Sequence, residues 1–469
     1  MLIVRWMGLV ALGVATLGQF SWSHDQVFSG PPPRGIADLE RINDRLLRLA
    51  PYVIERTVAV QQGESFGSGV IVNPNGRVLT AAHVIVKNGT TIQVTTFDGK
   101  KLAATRRWID EAADTAMLQI TSNQHWPAAK LARSTKMRPG AWCIATGHPF
   151  TPGDTNAPVL RAGRVLGRVE DMLSTDAVLT HGDSGGPLFN MSGRLIGIHS
   201  RIGPRVADSI HIPIELFVER SKQAKSNLAR SVLPSQPHAG STSRFYHGSP
   251  IEIGRNHEQV RAAFGDLIAA ANQSTVQIYK QDRLVALGTV VDRNGHVLTK
   301  WSEIPDSPRC RLGRGRPVHA KLMAREQEYD VALLEVSFSE NVSPIVWANS
   351  ATRPATGSLL ATPLGNTAYP YAIGILSRAE RRIPESNEFS APVSRKLSST
   401  ISSQRFGFPL VFEHDSMVPN YLCGGPLVDV HGQVVGINIA RANRTTTYAI
   451  PARVAEQLVQ RLLSQDNKP

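Results

Sequence analysis

The sequence predicts an all-β protein in which one domain is used twice, with short helices at the ends of each copy. Three observations predict it. Six stretches in the first half of the chain recur, in the same order, in the second half. Elsewhere, short runs rich in β-branched residues are broken by glycine, proline and asparagine, the pattern of strands joined by tight turns. The composition agrees, with 38 glycines, 30 prolines, 42% hydrophobic and only 19% charged residues in a chain of 469. That balance excludes a disordered chain, which is poor in apolar residues, and a coiled coil, which needs charge-rich heptads. Three cysteines are too few for a disulfide scaffold. The one long apolar run lies at the extreme N-terminus, which excludes a multi-span membrane protein.

In chain order, residues 1–23 read as a signal peptide. Arg5 gives a positive start, Trp6 to Leu17 an apolar stretch, and Ser21-Trp22-Ser23 a small-x-small cleavage site. The expected location is periplasmic or secreted; left uncut, the same stretch would anchor the chain to a membrane. Residues 24–50 form a helical lead-in, with Leu39, Ile42, Leu46 and Leu47 at helical spacing within Ala37 to Leu49. Residues 51–225 are the first copy, with a closing helical run from Ile214 to Ala229. Residues 226–257 are a linker whose centre, 231–250, is rich in Ser, Pro and Gly and lacks periodicity. Residues 258–469 are the second copy, opening on a helical run from Glu258 to Ala271 and closing on one from Ala452 to Leu463. The cysteines (Cys143, Cys310 and Cys423) are scattered and odd in number, so at least one thiol stays unpaired within a chain.

The net charge of +13 comes from dispersed basic residues, such as Arg106-Arg107, Arg161 to Arg168 and Arg378 to Arg382. No nucleic-acid signature accompanies them, so they read as solvated faces and a basic linker. A weak attraction to an anionic membrane surface is the one partner the charge suggests.

The repeats fix the correspondence between the copies. Asn75-Gly-Arg-Val-Leu-Thr recurs as Asn294-Gly-His-Val-Leu-Thr, a hairpin signal between alternating apolar runs. Asp114-Thr-Ala-Met-Leu recurs as Asp330-Val-Ala-Leu-Leu, and Gly163-Arg-Val-Leu as Gly374-Ile-Leu-Ser. Gly185-Gly-Pro-Leu recurs as Gly424-Gly-Pro-Leu, Gly193-Arg-Leu-Ile-Gly-Ile as Gly432-Gln-Val-Val-Gly-Ile, and His211-Ile-Pro as Ala449-Ile-Pro.

Three features of the first copy carry chemistry: Thr80-Ala-Ala-His83 after an apolar strand, Asp114 before another, and Gly182-Asp-Ser-Gly-Gly-Pro-Leu188. A serine hydroxyl is a poor nucleophile near neutral pH and needs a base, here His83. The imidazole needs an acceptor on its other nitrogen, here Asp114, to fix its tautomer and stabilise the cation that forms. Glycines around Ser184 let the backbone turn its N–H groups toward a developing oxyanion, with Gly182 and Ser184 as the donors. No histidine cluster has metal-ligand spacing and no glycine loop cradles a phosphate, so neither metal nor cofactor is expected.

These motifs resemble the chymotrypsin/trypsin clan and, within it, the HtrA (Deg) proteases. Thr175-Asp-Ala-Val-Leu179 is similar to the family's T-D-A-A-I stretch, Gly147-His-Pro-Phe150 to its G-N-P-F loop, and Gly67-Ser-Gly-Val70 to its strand before the hairpin. The resemblance spans roughly residues 50–220. It implies tandem chymotrypsin/trypsin-like double β-barrel domains, with the catalytic groups in the cleft between the barrels. It also implies endopeptidase activity on unfolded or damaged envelope proteins. In this clan the residue six before the serine, Val178, lies at the base of the substrate pocket, which implies small or medium apolar side chains there. Two departures stand out. His181-Gly-Asp183 replaces the family's P-G-N, and the second copy stands where the family carries PDZ domains. A homo-oligomer is compatible with the resemblance, but the departures put the family's assembly in question.

In the second copy Ser302 stands for His83, Asp330 for Asp114, Cys423 for Ser184 and Tyr421 for Gly182. The base is gone, and a tyrosine does not turn as freely as glycine. This copy is expected to be a degenerate pseudoprotease; a thiol site rebuilt with His414 or His431 is the alternative. Polypeptides are the expected partners. The alternative to an enzyme is a latent, chaperone-like peptide-binding protein.

Overall fold

The strand-like stretches close into four barrels of six strands each, two per copy, in the computed structural model. It describes residues 26–86, 91–149, 157–202, 208–227, 254–339, 341–349, 353–365, 370–385 and 400–466. The expected signal peptide, the linker centre 231–250 and Phe150 lie outside the described residues. Numbering the strands within each barrel from one to six, all four share the neighbour order 1-2-3-6-5-4, closed by pairing of the first with the fourth. The first barrel runs from Thr57 to Ile120 and the second from Trp142 to Pro213. The third runs from Thr275 to Val336 and the fourth from Leu359 to Pro451.

Local chemistry explains the turns. Asn73-Pro-Asn-Gly76 has asparagine first, proline second and glycine last, the preferences of a type I turn. The Gly76 N–H donates to Asn73 O at 3.1 Å, and the Asn73 side chain accepts from Arg77 N at 3.0 Å. Only the glycine of each Asn-Gly pair takes a positive φ, 82° at Gly76 and 84° at Gly295.

The lead-in helix spans Ile36–Ile54, longer than expected. Its buried stripe of Leu39, Ile42, Leu46, Leu49 and Val53 continues past Pro51, whose missing N–H costs only one bond near the helix end. The helix packs on both copies. Leu359 N in the fourth barrel donates to Asn43 Oδ1 at 2.9 Å. A Cβ on Gly357 would stand a tight 3.2 Å from Leu46 O, and its φ of 99° favours glycine there. The expected helix from Glu258 is broken into Glu258–Ala262 and Gly265–Gln273 around the buried Phe264, and Gly265 weakens continuity there.

One apolar core runs through both copies, joining Trp142, Ile144 and Leu160 of the second barrel to Leu359, Ile373 and Ile437 of the fourth. The strand Val159–Val169 faces the strand Tyr371–Arg381 across this boundary. Two equivalent aspartates flank it. Asp176 accepts from Arg164 N at 2.5 Å, and Asp415 accepts from Ile375 N at 2.7 Å. Arg255 joins them: its N–H donates to Asp176 Oδ2 at 2.5 Å, and its Nη1 donates to Asp415 Oδ2 at 2.5 Å and to Ala162 O at 2.7 Å.

Two expectations are corrected here. The last residues of the expected linker belong to the interface, since Arg255 is only 1% exposed. The expectation of solvated arginines fails for Arg161, Arg164 and Arg255, all buried. Each meets a carboxylate or carbonyl that neutralises or binds it, as Arg164 does through Gly140 O at 2.6 Å. The three cysteines are free and buried, each inside a different apolar cluster.

Removing one partner of a buried ion pair leaves the other uncompensated. Arg255→Ala is expected to lower the unfolding free energy by about 3–5 kcal/mol, measured by urea titration of the full chain. A loss under about 1 kcal/mol, the worth of a surface pair, would contradict it.

Candidate active site

Pairing of Ala81 with Thr115 brings the residues just beyond these strand ends together. His83 follows one strand and Asp114 precedes the other. Asp114 has a φ of 51°, a conformation that aspartate tolerates better than most residues. His83 Nδ1 lies 2.8 Å from Asp114 Oδ1, and the His83 N–H donates to the same oxygen at 3.1 Å. The other carboxylate oxygen accepts from the Ser200 hydroxyl at 2.6 Å. Burial pushes the Asp114 carboxyl up, but the hydrogen bonds from His83 and Ser200 outweigh it and hold the group below the usual range. The Ser200 carbonyl in turn accepts from Ser184 Oγ at 3.5 Å. Ser200 therefore touches both the acid and the candidate nucleophile. No hydrogen bond joins His83 to Ser184 among the described residues; the serine hydroxyl rests on Ser200.

The loop around Ser184 is held from several sides. Ser68 donates through its N–H to Ser184 O and through its hydroxyl to Gly182 O, both at 2.7 Å. Gly185 N donates to His199 O at 2.8 Å. Gly182 has φ 91° and Gly185 φ 83°. A Cβ on Gly185 would stand 2.1 Å from Thr80 Oγ1, so no other residue fits. The N–H groups of Gly182 and Ser184 have no acceptor among the described residues. Between them, the wholly buried Asp183 carboxylate lies 2.9 Å from Nη1 of the wholly buried Arg161. Val178 is also wholly buried.

Behind the loop lies a chain of buried polar groups. His199 Nε2 is 3.1 Å from Thr146 O, His199 Nδ1 is 2.9 Å from His211 Nδ1, and His211 Nε2 is 2.8 Å from Thr175 Oγ1. A carbonyl only accepts, so Nε2 of His199 carries its proton, and the remaining donors follow in one direction if both rings are neutral. Burial lowers both histidines, His199 well below its ordinary value and His211 to about 3.

The second copy keeps the backbone frame. Trp301 N donates to Asp330 O as Ala82 N does to Asp114 O, and Leu287 N to Cys423 O as Ser68 N does to Ser184 O. Its chemistry differs. Asp330 accepts from Ser302 N and from Ser302 Oγ, each at 2.8 Å, and from the wholly buried Lys300 at 2.7 Å. Cys423 N donates to Asn420 O at 3.1 Å, so the amide matching that of Ser184 is occupied. Tyr421 sits in the helical turn Asn420–Leu422. Burial pushes the Cys423 thiol up to about 11, and Lys300 and Arg441 only partly oppose it. His414 is buried, with burial pushing it down to about 3, and His431 is exposed in the turn after Asp429. Burial and the contact of Cys423 Sγ with Pro419 O at 3.6 Å both disfavour the thiolate that the thiol-site alternative needs.

Ser200, Arg161, Ser68 and Lys300 belong to these clusters without any sequence motif that assigns them there. A signal for Ser200 was available, since the aligned position in the second copy is Ile439, a loss parallel to that of His83.

The family model described as trypsin-like peptidase domain matches residues 67–198 and again 286–437. The chain belongs to this family and carries its domain twice. Among curated proteins it is similar to the mitochondrial serine protease HTRA2 of Drosophila willistoni, 35% identical over 191 residues, which are 38% of this chain and 44% of that protein. The Drosophila erecta protein of the same name is 36% identical, over 38% and 45%. The chain thus spans less than half the length of these relatives. Among solved structures it is similar to "HtrA-type protease AlgW with tripeptide", at 28% identity, TM-score 0.35 and coverage of 38% of this chain and 62% of that one. A serine endoprotease from Yersinia pestis matches at 25% identity and TM-score 0.35, over 39% and 67%.

The histidine chain gives a pH dependence with a definite sign. His199, His211 and His414 stay neutral when folded but take up protons below about pH 6.5 when unfolded. The unfolded state then binds more protons, so stability falls as pH drops, by about 1.4 kcal/mol per unit per histidine. Denaturant titrations at pH 7 and 5 are expected to show this loss. His199→Asn with His211→Ala, copying Asn438 and Ala449, is expected to flatten it. An unchanged slope in that variant would contradict the assignment.

Proposed function

We propose that the protein is an exported serine endopeptidase that cleaves unfolded or damaged polypeptides through Ser184, His83 and Asp114. The carrying observation is the link of Ser184 to the His83–Asp114–Ser200 cluster, beside two N–H groups that have no acceptor among the described residues. Rotation of the serine hydroxyl from Ser200 O toward His83, between ordinary rotamers, starts the reaction. His83 takes the hydroxyl proton as Oγ attacks the peptide carbonyl, and Asp114 stabilises the imidazolium. The N–H groups of Gly182 and Ser184 bind the oxyanion. His83 then protonates the leaving amine, and water repeats the sequence to release the acyl group from Ser184.

The second copy has Ser302 at the position of His83 and an occupied amide at Cys423, which supports a non-catalytic role. The apolar, buried Val178 supports a preference for small or medium apolar side chains before the scissile bond. Export rests on the N-terminal pattern, and N-terminal sequencing of the mature protein beginning near His24 is the test.

The resting position of Ser184 Oγ on Ser200 favours a second reading, a latent peptide-binding protein. A fluorophosphonate probe separates the two. Labelling of the wild type and its loss in Ser184→Ala are expected, with peptide hydrolysis reduced about 10⁴–10⁶-fold in the variant. Absence of wild-type labelling would favour the latent reading. Cleavage of a peptide library mainly after arginine would overturn the pocket assignment.

A further inference from the structure

We propose that Arg161 is a positioning residue for the nucleophile loop, and that the second copy braces this loop by gripping the strand that carries Arg161. The proposal rests on the peptidase reading above and assigns the degenerate copy a role within it.

Asp183 lies between the two residues whose amides face the oxyanion. Its carboxylate accepts from Thr180 N at 2.8 Å, its carbonyl from Gly186 N at 2.8 Å, and its N–H donates to Thr180 O at 3.1 Å. Asp183 thus ties both ends of the loop, and Arg161 pairs with the same carboxylate oxygen from the neighbouring strand. Both side chains are wholly buried, and no hydrogen bond to another group holds the guanidinium among the described residues. Burial pushes the Asp183 carboxyl up, with the Arg161 charge as the largest opposing influence.

The second copy supplies an internal comparison. The positions of Arg161 and Asp183 are there Ala372 and Leu422, packed in one apolar cluster with Leu287, Val418 and Cys423. The fourth barrel therefore closes with no ion pair at these two positions, and an apolar contact costs less to bury. The ion pair occurs in the copy with His83, Asp114 and Ser184. Where it is missing, the Cys423 amide turns onto Asn420 O; where it is present, the Ser184 amide has no acceptor among the described residues.

The brace acts one residue from Arg161. Ala162 O accepts from Arg255 Nη1 at 2.7 Å, and Ala162 N donates to Asp415 Oδ2 of the second copy at 3.3 Å. Arg255 Nη2 also donates to Asp415 O at 2.5 Å. On the same face, Arg378 of the second copy donates to Ala157 O at 2.9 Å, and its charge acts on Asp183. The second copy and its lead-in residue thus hold the peptide next to Arg161.

The test uses the full chain with two variants: Arg161→Met/Asp183→Leu, which installs an apolar contact, and Asp415→Asn, which weakens the grip on Ala162. For the folded double variant we expect kcat on a peptide substrate to fall about 10²-fold, as for loss of an oxyanion donor, with KM changed by less than about threefold. In both variants, hydrogen exchange at the amides of Thr180, Asp183 and Gly186 is expected to quicken about tenfold or more, while amides of the third barrel stay unchanged. Wild-type kcat in the folded double variant overturns the role of Arg161. Unchanged exchange in Asp415→Asn overturns the brace, and that arm decides alone if the double variant does not fold. A wild type that no fluorophosphonate labels overturns the peptidase reading instead, and the exchange measurements still decide the brace.

Discussion

Arg255 sits where the two copies meet, and their relation depends on it. A buried guanidinium is costly unless its donors are met and its charge is opposed. Here Asp176 of the first copy and Asp415 of the second supply the opposition, and Ala162 O accepts a further bond. None of these groups is complete without the other copy. The shared apolar core and the lead-in helix, packed against both, add to the same constraint. The two copies thus share one core and one set of buried hydrogen bonds.

The copies show how little of the double-barrel fold depends on catalysis. The same frame of hydrogen bonds positions Asp114 and Asp330, each with a φ above 50°. One aspartate faces a histidine, the other a buried lysine and a serine. Ser200 becomes Ile439, His199 becomes Asn438 and Gly182 becomes Tyr421 without opening the barrel. The aspartate at this bend, part-buried as Asp114 and buried as Asp330, needs partners, but the fold does not dictate which. In the second copy Lys300 and Ser302 supply the partners that His83 and Ser200 supply in the first.

The strands, the turns and the grouping of His83 with Asp114 were legible because local patterns decide them. Asn-Gly and Gly-Gly-Pro mark turns whatever surrounds them, and the strand ends carry the histidine and the aspartate. The burial of Arg161 and Arg255 was not legible. An arginine is charged and flexible in any local window, and only partners brought in by folding, such as Asp183 and Asp415, make its burial tolerable. Ser200 is marked only by comparing the copies, where Ile439 stands at its position, since nothing near it in sequence points to Asp114. The break at Phe264 was missed because the apolar spacing of Glu258 to Ala271 continues across it.

The cysteines carry a consequence of a different kind. Cys143, Cys310 and Cys423 lie wholly buried in three separate clusters. Burial holds each thiol protonated, with Cys310 pushed up to about 12 and Cys423 to about 11. An oxidant in solution meets neither a thiolate nor an accessible sulfur, and no two sulfurs are placed to join. The folded protein therefore keeps its three thiols free in a reducing or an oxidising medium alike. Only unfolding exposes these sulfurs to cross-linking, so oxidation would act on the unfolded molecules and leave the native ones alone.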